Sequence, residues 1–310
     1  MFFQMLMGPS GSGKTTYAQY MKNTLLEPVE IISSDSIREE LYGDESIQDN
    51  PAKVFSLMLK RTKNALDKKE AVIYDATNLS EKRRIALLND LKEYDCPKIC
   101  VAIITDPLLC VDRQELRPRK VPKEVIGKQV KQFQPPHKSE GWTDIYLYVN
   151  RCKDFNLNKF LNLANDFDQH NPHHKLTLAK HCNKAYKYAA ENNYGEIIRS
   201  AALWHDIGKL LTQTFDSEKV AHYYSHENVS AYYYLLINAD NFSDDNFPIN
   251  LSELYNERVA HELRLDVAWL IAHHMDFFKG DAYLEKVRKR VDPMLWQRLN
   301  WLHECDLAAH

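Results

Sequence analysis

The first half of the chain alternates short apolar runs with segments of helical periodicity. Helical spacing is found, for example, in Thr15–Lys22 and Pro51–Lys68. Continuous apolar runs that alternate with helices predict a parallel sheet covered on both faces. We therefore expect an α/β domain up to about residue 150. Its five predicted strands are Phe2–Met7, Val29–Ser33, Ala71–Asp75, Ile99–Thr105 and Ile145–Val149.

The second half of the chain lacks a strand signal. From about Asn156 onward helical patterns dominate, and they are interrupted at Asn171-Pro172 and Asn192–Gly195. We expect a domain boundary between residues 150 and 165, which separates a domain over 1–152 from one over 160–310. The predicted fold class is multidomain, with an N-terminal α/β domain and a C-terminal all-α helical bundle.

Composition is that of a soluble globular protein: 44% of the 310 residues are hydrophobic and 27% are charged. The apolar runs are shorter than the roughly 18 residues that a membrane span needs, so we expect no membrane partner. The opening run Met1–Met7 lacks a basic region and leads into a glycine loop, which favours a strand over a signal peptide. Six cysteines without a CxxC pair predict reduced thiols and a cytoplasmic location.

Charged residues and histidines are unevenly distributed. The net charge of −3 provides no overall field that attracts nucleic acid, but Arg113–Lys138 contains eight Lys or Arg against Glu115 and Glu124. Such a run fits either a solvated surface helix or a lid that neutralises phosphates. Of 13 histidines only His137 precedes residue 170. This distribution predicts different chemistry in the two domains.

A glycine loop follows the first predicted strand and precedes the first predicted helix. Gly8-Pro9-Ser10-Gly11-Ser12-Gly13-Lys14-Thr15 matches the pattern GxxxxGK[ST] in the context that this pattern requires. Its backbone N–H groups and the helix N-terminus favour bound phosphate, Lys14 can reach the β- and γ-phosphates, and Thr15 can bind Mg²⁺. The residues expected to bind ATP or another nucleoside triphosphate are Gly8, Ser10, Gly11, Ser12, Gly13, Lys14, Thr15 and Thr16.

Two acidic residues follow the ends of predicted strands. Asp35, in Ser33-Ser34-Asp35-Ser36-Ile37-Arg38, can accept a proton from an attacking hydroxyl, and Arg38 can hold an anionic acceptor. The alternative is that Asp35 caps a helix and Arg38 is solvated. Asp75 ends the third predicted strand, where it can help to hold Mg²⁺ or position the acceptor.

Arg113 and Arg117 share one predicted helix face and can close over a transferring phosphoryl group, although both could also be surface arginines. The patterns GxxGSGKT, SxDxxR, DATNLxxxRR and RxxxRxxxVP together resemble the 5′-hydroxyl polynucleotide kinase family, over nearly all of residues 1–150. The resemblance implies a P-loop kinase domain in which Asp35 is the general base, Arg38 binds the acceptor's 3′-phosphate and Arg117 contacts donor phosphates. The length of the lid leaves Arg113, Arg117 and Arg119 open as the essential arginine.

The C-terminal half contains the pair His205-Asp206, with His181 24 residues earlier and Asp306 near the end. Imidazoles and carboxylates in this order resemble the HD phosphohydrolase superfamily, and the resemblance implies that Asp206 is also catalytic. It implies one or two divalent cations (Mn²⁺, Ni²⁺, Co²⁺, Fe²⁺ or Zn²⁺) in this site. Lys209 is a candidate for binding a substrate phosphate. The implied metal ligands are His181, His205, Asp206 and Asp306, with His226 and His274 as additional ligands and His174 as a further candidate; the alternative for each additional histidine is a hydrogen-bonded core residue.

The segments Asn171-Pro172-His173-His174 and Tyr223-Tyr224-Ser225-His226-Glu227 look most like those of the HD domains of tRNA nucleotidyltransferases. These domains act on 2′,3′-cyclic and terminal phosphates of RNA. As a whole the chain resembles bifunctional HD/polynucleotide kinase end-healing enzymes. The resemblance implies RNA or DNA with broken ends as substrate, nicked tRNA among the candidates, and an RNA ligase as functional partner. Two alternatives stay open: a small-molecule kinase joined to a nucleotide phosphohydrolase, and an ATP-driven P-loop switch that regulates a hydrolase.

Overall fold

The chain divides into two compact units in the computed structural model. Of the described residues, the first unit contains 1–129, 136–151 and 251–258, and the second contains 130–135, 152–238 and 259–310. The structure describes residues 1–117, 119–152, 156–171, 175–238 and 251–310, without the side chains of residues 157, 159 and 251–260. The candidate ligand His174 lies outside the described residues.

A five-stranded parallel sheet forms the centre of the first unit, with strand order β2-β3-β1-β4-β5. The five predicted strands are confirmed, and each observed end lies within one residue of the predicted one. β1 and β3 are buried along their whole length, as expected of strands covered on both faces, whereas the edge strand β2 is partly exposed. The strands are β1 (Phe3–Met7), β2 (Val29–Ser33), β3 (Ala71–Asp75), β4 (Lys98–Thr105) and β5 (Asp144–Asn150).

Six helices accompany these strands. Tyr17 and Ala18 of the first helix pack on Leu6, Ile73 and Val101 of the sheet in a buried core. The parallel α/β architecture predicted for this part of the chain is therefore confirmed. The helices are α1 (Lys14–Thr24), α2 (Ser34–Tyr42), α3 (Pro51–Asp67), α4 (Glu81–Asp90), α5 (Pro107–Glu115) and α6 (Lys123–Lys131).

Parallel pairing brings the ends of three strands to the same edge of the sheet. Leu6 of β1 and Ser33 of β2 are both in register with Asp75 of β3. The glycine loop after β1 and the start of α2 after β2 consequently lie beside Asp75. In open α/β sheets this carboxyl edge is where ligands bind.

The second unit is mainly helical. Its buried interior includes Ala185, Ala201, Trp269, Leu299 and Leu302, which come from four different helices. No helix in the described part of the chain is long and apolar enough to cross a membrane. The helices of the chain after residue 152 are α7 (Leu157–Asn165), α8 (Leu178–Glu191), α9 (Glu196–Trp204), α10 (Lys209–Thr212), α11 (His226–Asn238), α12 (Leu251–His273), α13 (Asp281–Arg290) and α14 (Pro293–Ala309).

The expectation of an all-α second domain needs one correction. Two short strands, β6 (Thr214–Phe215) and β7 (Ala221–His222), pair as an antiparallel hairpin. The Asp216 carboxylate closes the turn by accepting from the backbone N–H groups of Glu218, at 2.9 Å, and Val220, at 3.0 Å. Strands of two residues are too short to produce an alternating pattern, which is why the sequence did not indicate them.

Candidate functional site

The glycine loop between β1 and α1 depends on glycine at two positions. Gly8 has φ 153° and Gly11 has φ 83°, which are conformations that other residues rarely adopt. A Cβ on Gly8 would lie 2.5 Å from the carbonyl oxygen of Ile103, and one on Gly11 equally close to that of Cys110. The loop is therefore held against neighbouring backbone in a shape that leaves its outer side to a ligand.

Lys14, Thr15 and Asp75 meet at the start of α1. The Thr15 hydroxyl donates to Asp75 Oδ2 at 2.9 Å, and Lys14 Nζ donates to the Pro9 carbonyl at 2.8 Å. Burial lowers the pKa of Lys14 although Asp75 raises it, and burial raises the pKa of Asp75 although Lys14 lowers it. A hydroxyl beside a carboxylate is an oxygen donor set of the kind that Mg²⁺ prefers, so these residues fit the implied ion.

Lys14, Thr15 and Asp75 line a cavity of about 370 Å³ over the carboxyl edge of the sheet. Of the predicted phosphate-binding residues, Ser10, Gly11, Gly13, Lys14, Thr15 and Asp75 line it. Gly8 and Ser12 shape the loop from behind, and Thr16 is exposed on α1.

Gln129 of α6 joins this cavity without having been predicted. Its Oε1 accepts from the backbone N–H of Ser10 at 2.7 Å, and its Nε2 donates to the Ser10 hydroxyl at 3.1 Å. A lone glutamine in an amphipathic helix carries no sequence signal for such a contact. The pairing joins α6 to the loop that would hold phosphate.

Asp35 and Arg38 face the same cavity from α2. Ser33 caps this helix, since its hydroxyl accepts from the N–H groups of Asp35 and Ser36, and the Asp35 carboxylate therefore stays available. Arg38 donates to Asp35 Oδ1 at 3.1 Å and is 7% exposed. The alternative in which Asp35 caps the helix and Arg38 is solvated is wrong.

The three candidate lid arginines take different positions. Arg113 lies on the glycine loop, with Nη1 3.3 Å from the Ser12 carbonyl oxygen, whereas Arg117 is exposed and lines the cavity. Arg119 is on the acceptor side, with Nη1 3.7 Å from Asp35 Oδ1 and 3.4 Å from Glu45 Oε1. The expectation that Arg113 and Arg117 share a helix face is wrong, because α5 ends at Glu115 and its last turn tightens into i→i+3 hydrogen bonding.

One arginine of the DATNLxxxRR pattern is structural. Arg84 is completely buried and forms a two-point contact with Glu140, at 2.8 Å and 2.6 Å. It also donates, at 3.1 Å, to the carbonyl oxygen of Asn78, a residue in the turn after β3. Arg84 thus fixes the segment that follows Asp75.

The second unit brings six predicted ligands into one buried cluster. Asp206 lies at its centre: Oδ2 is 3.3 Å from His181 Nε2 and 3.5 Å from His205 Nε2, and Oδ1 is 3.1 Å from His226 Nε2 and 3.6 Å from His274 Nε2. Each oxygen of this carboxylate faces a different pair of histidines. The cluster, called the His/Asp cluster below, consists of His181, His205, Asp206, His226, His274 and Asp306.

Asp306 completes the first of these two ligand sets from α14. Its Oδ1 lies 3.2 Å from His181 Nε2 and 3.4 Å from His205 Nε2. His310 was not predicted as a ligand, but its Nε2 lies 3.5 Å from the same oxygen. The sets His181–His205–Asp206 and Asp206–His226–His274 each have ligand atoms within 4.8 Å of one another.

The outer ring nitrogens of three histidines contact backbone carbonyl oxygens. The distances from Nδ1 are 2.8 Å for His205 to Ala202, 2.8 Å for His226 to Tyr223 and 2.7 Å for His274 to Ile271. These contacts favour a proton on Nδ1 and leave the Nε2 lone pair directed into the cluster, as metal-binding histidines require. The donor set fits a divalent transition metal.

The charges of the cluster favour a cation. Burial would raise the pKa of Asp206, but the charge of Lys209 and the surrounding histidines hold it well below its usual range. Burial would lower the pKa of His181, but its hydrogen bonds to Asp206 and Asp306 raise it to about 9. The two carboxylates thus make the electrostatic potential at His181 strongly negative. A metal ion would compete with the proton for this position.

Lys209 and His273 lie close to cluster residues in the sequence. Lys209 is buried, with Nζ 2.7 Å from Asp206 Oδ2 and 2.9 Å from the Gln169 side chain, so it is already paired with the central carboxylate. His273, the neighbour of the cluster ligand His274, instead stacks on Trp269 and pairs with Asp276. The proximity of His226 and His274 to Asp206 favours their ligand role over the core alternative.

Comparison with known proteins gives matches to parts of the chain. Residues 4–136 match the family model of the AAA domain (AAA_33). The chain is 28% identical over 162 residues to L-seryl-tRNA(Sec) kinase from Methanococcus maripaludis, a match that covers 51% of this chain and 62% of that protein. Together with the sheet order and the glycine loop, these matches identify an N-terminal domain of the P-loop kinase fold.

Solved structures are similar over comparable parts of the chain. A chain of the Pnkp1/Rnl/Hen1 RNA repair complex is 23% identical with a TM-score of 0.39, covering 42% of this chain and 43% of that one. A gluconokinase from Sinorhizobium meliloti 1021 is 15% identical with a TM-score of 0.35, covering 50% of this chain and 84% of its own. The chain therefore spans less than half of the repair-complex component and under two thirds of the seryl-tRNA kinase.

Proposed function

We propose that the protein heals broken RNA ends, with a 5′-hydroxyl kinase in the first unit and a metal-dependent 2′,3′-cyclic phosphodiesterase or phosphatase in the second. The observation that carries the kinase half is that Asp35 and Arg38 share a cavity with Lys14, Thr15 and Asp75. A donor site that only binds nucleotide needs neither a second carboxylate nor a buried arginine. Their presence favours phosphoryl transfer over an ATP-driven switch.

The roles in the kinase follow from the positions of these side chains. The Asp35 carboxylate accepts the proton of the attacking hydroxyl, and Arg38 holds both this carboxylate and an anionic group of the acceptor. Lys14 and Arg117 neutralise charge on the transferring phosphoryl group. Thr15 and Asp75 would hold Mg²⁺, which adds positive charge at the donor phosphates.

The hydrolytic half rests on the His/Asp cluster. The six clustered residues would hold one or two of Mn²⁺, Ni²⁺, Co²⁺, Fe²⁺ or Zn²⁺, with Asp206 shared between both ligand sets. Such an ion polarises a phosphoryl oxygen and lowers the pKa of a water. Asp206 orients the histidines on both sides, and Lys209 keeps Asp206 ionised.

One other acceptor has support. The similarity to L-seryl-tRNA(Sec) kinase favours the hydroxyl of an aminoacylated tRNA as an alternative to the 5′-hydroxyl of a broken RNA. Both acceptors carry phosphates that Arg38 could bind, and both leave the role of Asp35 unchanged. A small-molecule kinase joined to a nucleotide phosphohydrolase is the remaining alternative. Such a kinase has less need of an arginine that binds an anionic acceptor.

The decisive assay for the kinase half uses γ-labelled ATP with Mg²⁺. Purified protein is offered a 5′-hydroxyl RNA, the same RNA already phosphorylated at its 5′ end, and seryl-tRNA. Label on the 5′-hydroxyl RNA alone supports the proposal, and label on seryl-tRNA alone would replace it.

For the hydrolytic half, RNA ending in a 2′,3′-cyclic phosphate is incubated with each candidate metal, and dNTPs are offered in parallel. Turnover of dNTPs without turnover of RNA would favour nucleotide metabolism.

Arg119 should act on the acceptor side of the kinase. Because its guanidinium lies between Asp35 and Glu45, we expect Arg119→Ala to raise the KM for 5′-hydroxyl RNA by about tenfold and to leave the KM for ATP unchanged. Steady-state kinetics with each substrate varied in turn measures this split. The matched control is Arg61→Ala, an exposed arginine of α3 paired with Glu40. An effect on the KM for ATP alone would assign Arg119 to the donor instead.

A further inference from the structure

A second cavity, of about 1060 Å³, opens beside the His/Asp cluster. Asp206, His226, His274 and Asp306 form one part of its lining. This volume is at the upper end of ligand sites and exceeds what a phosphate group needs. The rest of the lining is therefore available to another part of a substrate.

Tyr224 is the most exposed aromatic side chain in this lining, at 69% of its surface. One face of its ring stacks on His222, with ring centres 5.6 Å apart and planes 7° from parallel. His222 is itself held by a 2.9 Å contact between its Nε2 and Asp216 Oδ2 in the β6–β7 hairpin. Tyr224 is thus a supported ring that lines the cavity and stays largely exposed.

Phe278 lines the same cavity and is 64% exposed. It belongs to the short 3₁₀ helix His274–Lys279, which begins at a cluster ligand. Tyr224 likewise precedes the cluster ligand His226 by two residues. Both aromatic side chains are therefore joined by a few residues of backbone to the groups that would handle a phosphate.

We infer that Tyr224 and Phe278 form a nucleobase subsite for the terminal nucleoside whose phosphate reaches the His/Asp cluster; this inference rests on the proposed hydrolytic function. Exposed aromatic faces are the surfaces on which bases of single-stranded nucleic acids stack. Stacking tolerates every base, so this subsite selects nucleoside phosphates over base-free phosphate esters without reading sequence. A general phosphatase needs no such surface.

The test compares two substrates and three variants. Adenosine 2′,3′-cyclic phosphate carries a base, and methyl riboside 2,3-cyclic phosphate carries a methoxy group in its place. Tyr224→Leu removes the aromatic ring but keeps an apolar side chain, and Tyr224→Phe keeps the ring. Phe215→Leu is the matched control, because Phe215 is 54% exposed on the neighbouring β6–β7 hairpin but does not line the cavity.

We expect Tyr224→Leu to raise the KM for the adenosine substrate by about tenfold, with kcat and the turnover of the methyl riboside unchanged. Tyr224→Phe and Phe215→Leu should behave as the wild type does. The inference is overturned if Tyr224→Leu leaves the adenosine KM unchanged, or if it impairs both substrates equally.

Failure of the proposed function can be told apart from failure of this inference. If the wild type hydrolyses neither substrate, the hydrolytic proposal fails, and calorimetric titration with adenosine 3′-monophosphate then tests the subsite alone. Weaker binding to Tyr224→Leu than to Tyr224→Phe supports the subsite. Equal affinities for the two variants, or no binding to the wild type, overturn it.

Discussion

Asp206→Asn should reduce hydrolysis of a 2′,3′-cyclic phosphate by about a thousandfold and leave phosphoryl transfer from ATP unchanged. Asp206 is 2% exposed, and its two oxygens face the His181–His205 and His226–His274 pairs. Replacing one oxygen by an amide removes a charged ligand from at least one set. A thousandfold loss corresponds to about 4 kcal/mol of transition-state stabilisation, which is typical for the contribution of a catalytic metal ion.

The asparagine variant is preferable to alanine because its amide oxygen can still accept a hydrogen bond from Lys209, which is buried against Asp206. Either substitution leaves the Lys209 charge without its carboxylate, at a cost of about 3–5 kcal/mol of folding stability, so a loss of activity could reflect unfolding. Thermal unfolding and bound metal by mass spectrometry are therefore measured with the rates. Asp281→Asn, on an exposed carboxylate that begins α13, is the matched control. Hydrolysis by a folded Asp206→Asn protein at the wild-type rate would contradict the role of Asp206.

Asp35→Asn should lower kcat for phosphorylation of 5′-hydroxyl RNA by about 10²- to 10⁴-fold, the range that a general base contributes. The amide can still accept the hydrogen bond from Arg38 but cannot take up a proton from the acceptor. The KM for ATP should not change, because Lys14, Thr15 and Asp75 are untouched. Label transfer from γ-labelled ATP under single-turnover conditions measures the chemical step.

Asp90→Asn is the control for this experiment, since Asp90 is an exposed carboxylate at the end of α4. The same Asp35→Asn protein should hydrolyse a 2′,3′-cyclic phosphate at the wild-type rate. A kinase rate within a few-fold of wild type would mean that Asp35 is not the base. A parallel loss of hydrolysis would mean that the substitution disturbs the whole protein.

Much of the first unit could be predicted because the sequence signals there are local. The five strands are mainly apolar runs. Gly8 and Gly11 occur where the backbone takes positive φ values. The parallel sheet then brings Asp35 and Asp75 together, because the carboxyl ends of its strands share one edge. Residue type and order were sufficient for these features.

The positions of side chains beyond the strand ends could not be predicted in this way. Arg113 lies on the glycine loop and does not share a helix face with Arg117, because α5 ends at Glu115, and Arg119 faces Asp35. Gln129 reaches Ser10 from a helix 119 residues later. Such contacts depend on where a helix ends and how it packs, and helix ends carry weak sequence signals.

The His/Asp cluster was predicted from a resemblance, and the fold explains why it could form. His181, His205 and Asp306 come from parts of the chain up to 125 residues apart, and the cluster appears only when α8, α9 and α14 pack together. The β6–β7 hairpin and the stacking of Tyr224 on His222 could not be predicted from the sequence. A hairpin of two-residue strands is defined by the turn at Asp216, not by periodicity.

The central claim is that one chain performs phosphoryl transfer and phosphate hydrolysis on RNA ends. The most direct test is to incubate the wild-type protein with ATP, Mg²⁺, Mn²⁺ and an RNA that carries both a 5′-hydroxyl and a 2′,3′-cyclic phosphate, and to identify both termini by mass spectrometry. We predict a 5′-phosphate and an opened or removed 3′ phosphate, with only the first lost in Asp35→Asn and only the second lost in Asp206→Asn. An RNA with either end unchanged after incubation with the wild type would contradict the account.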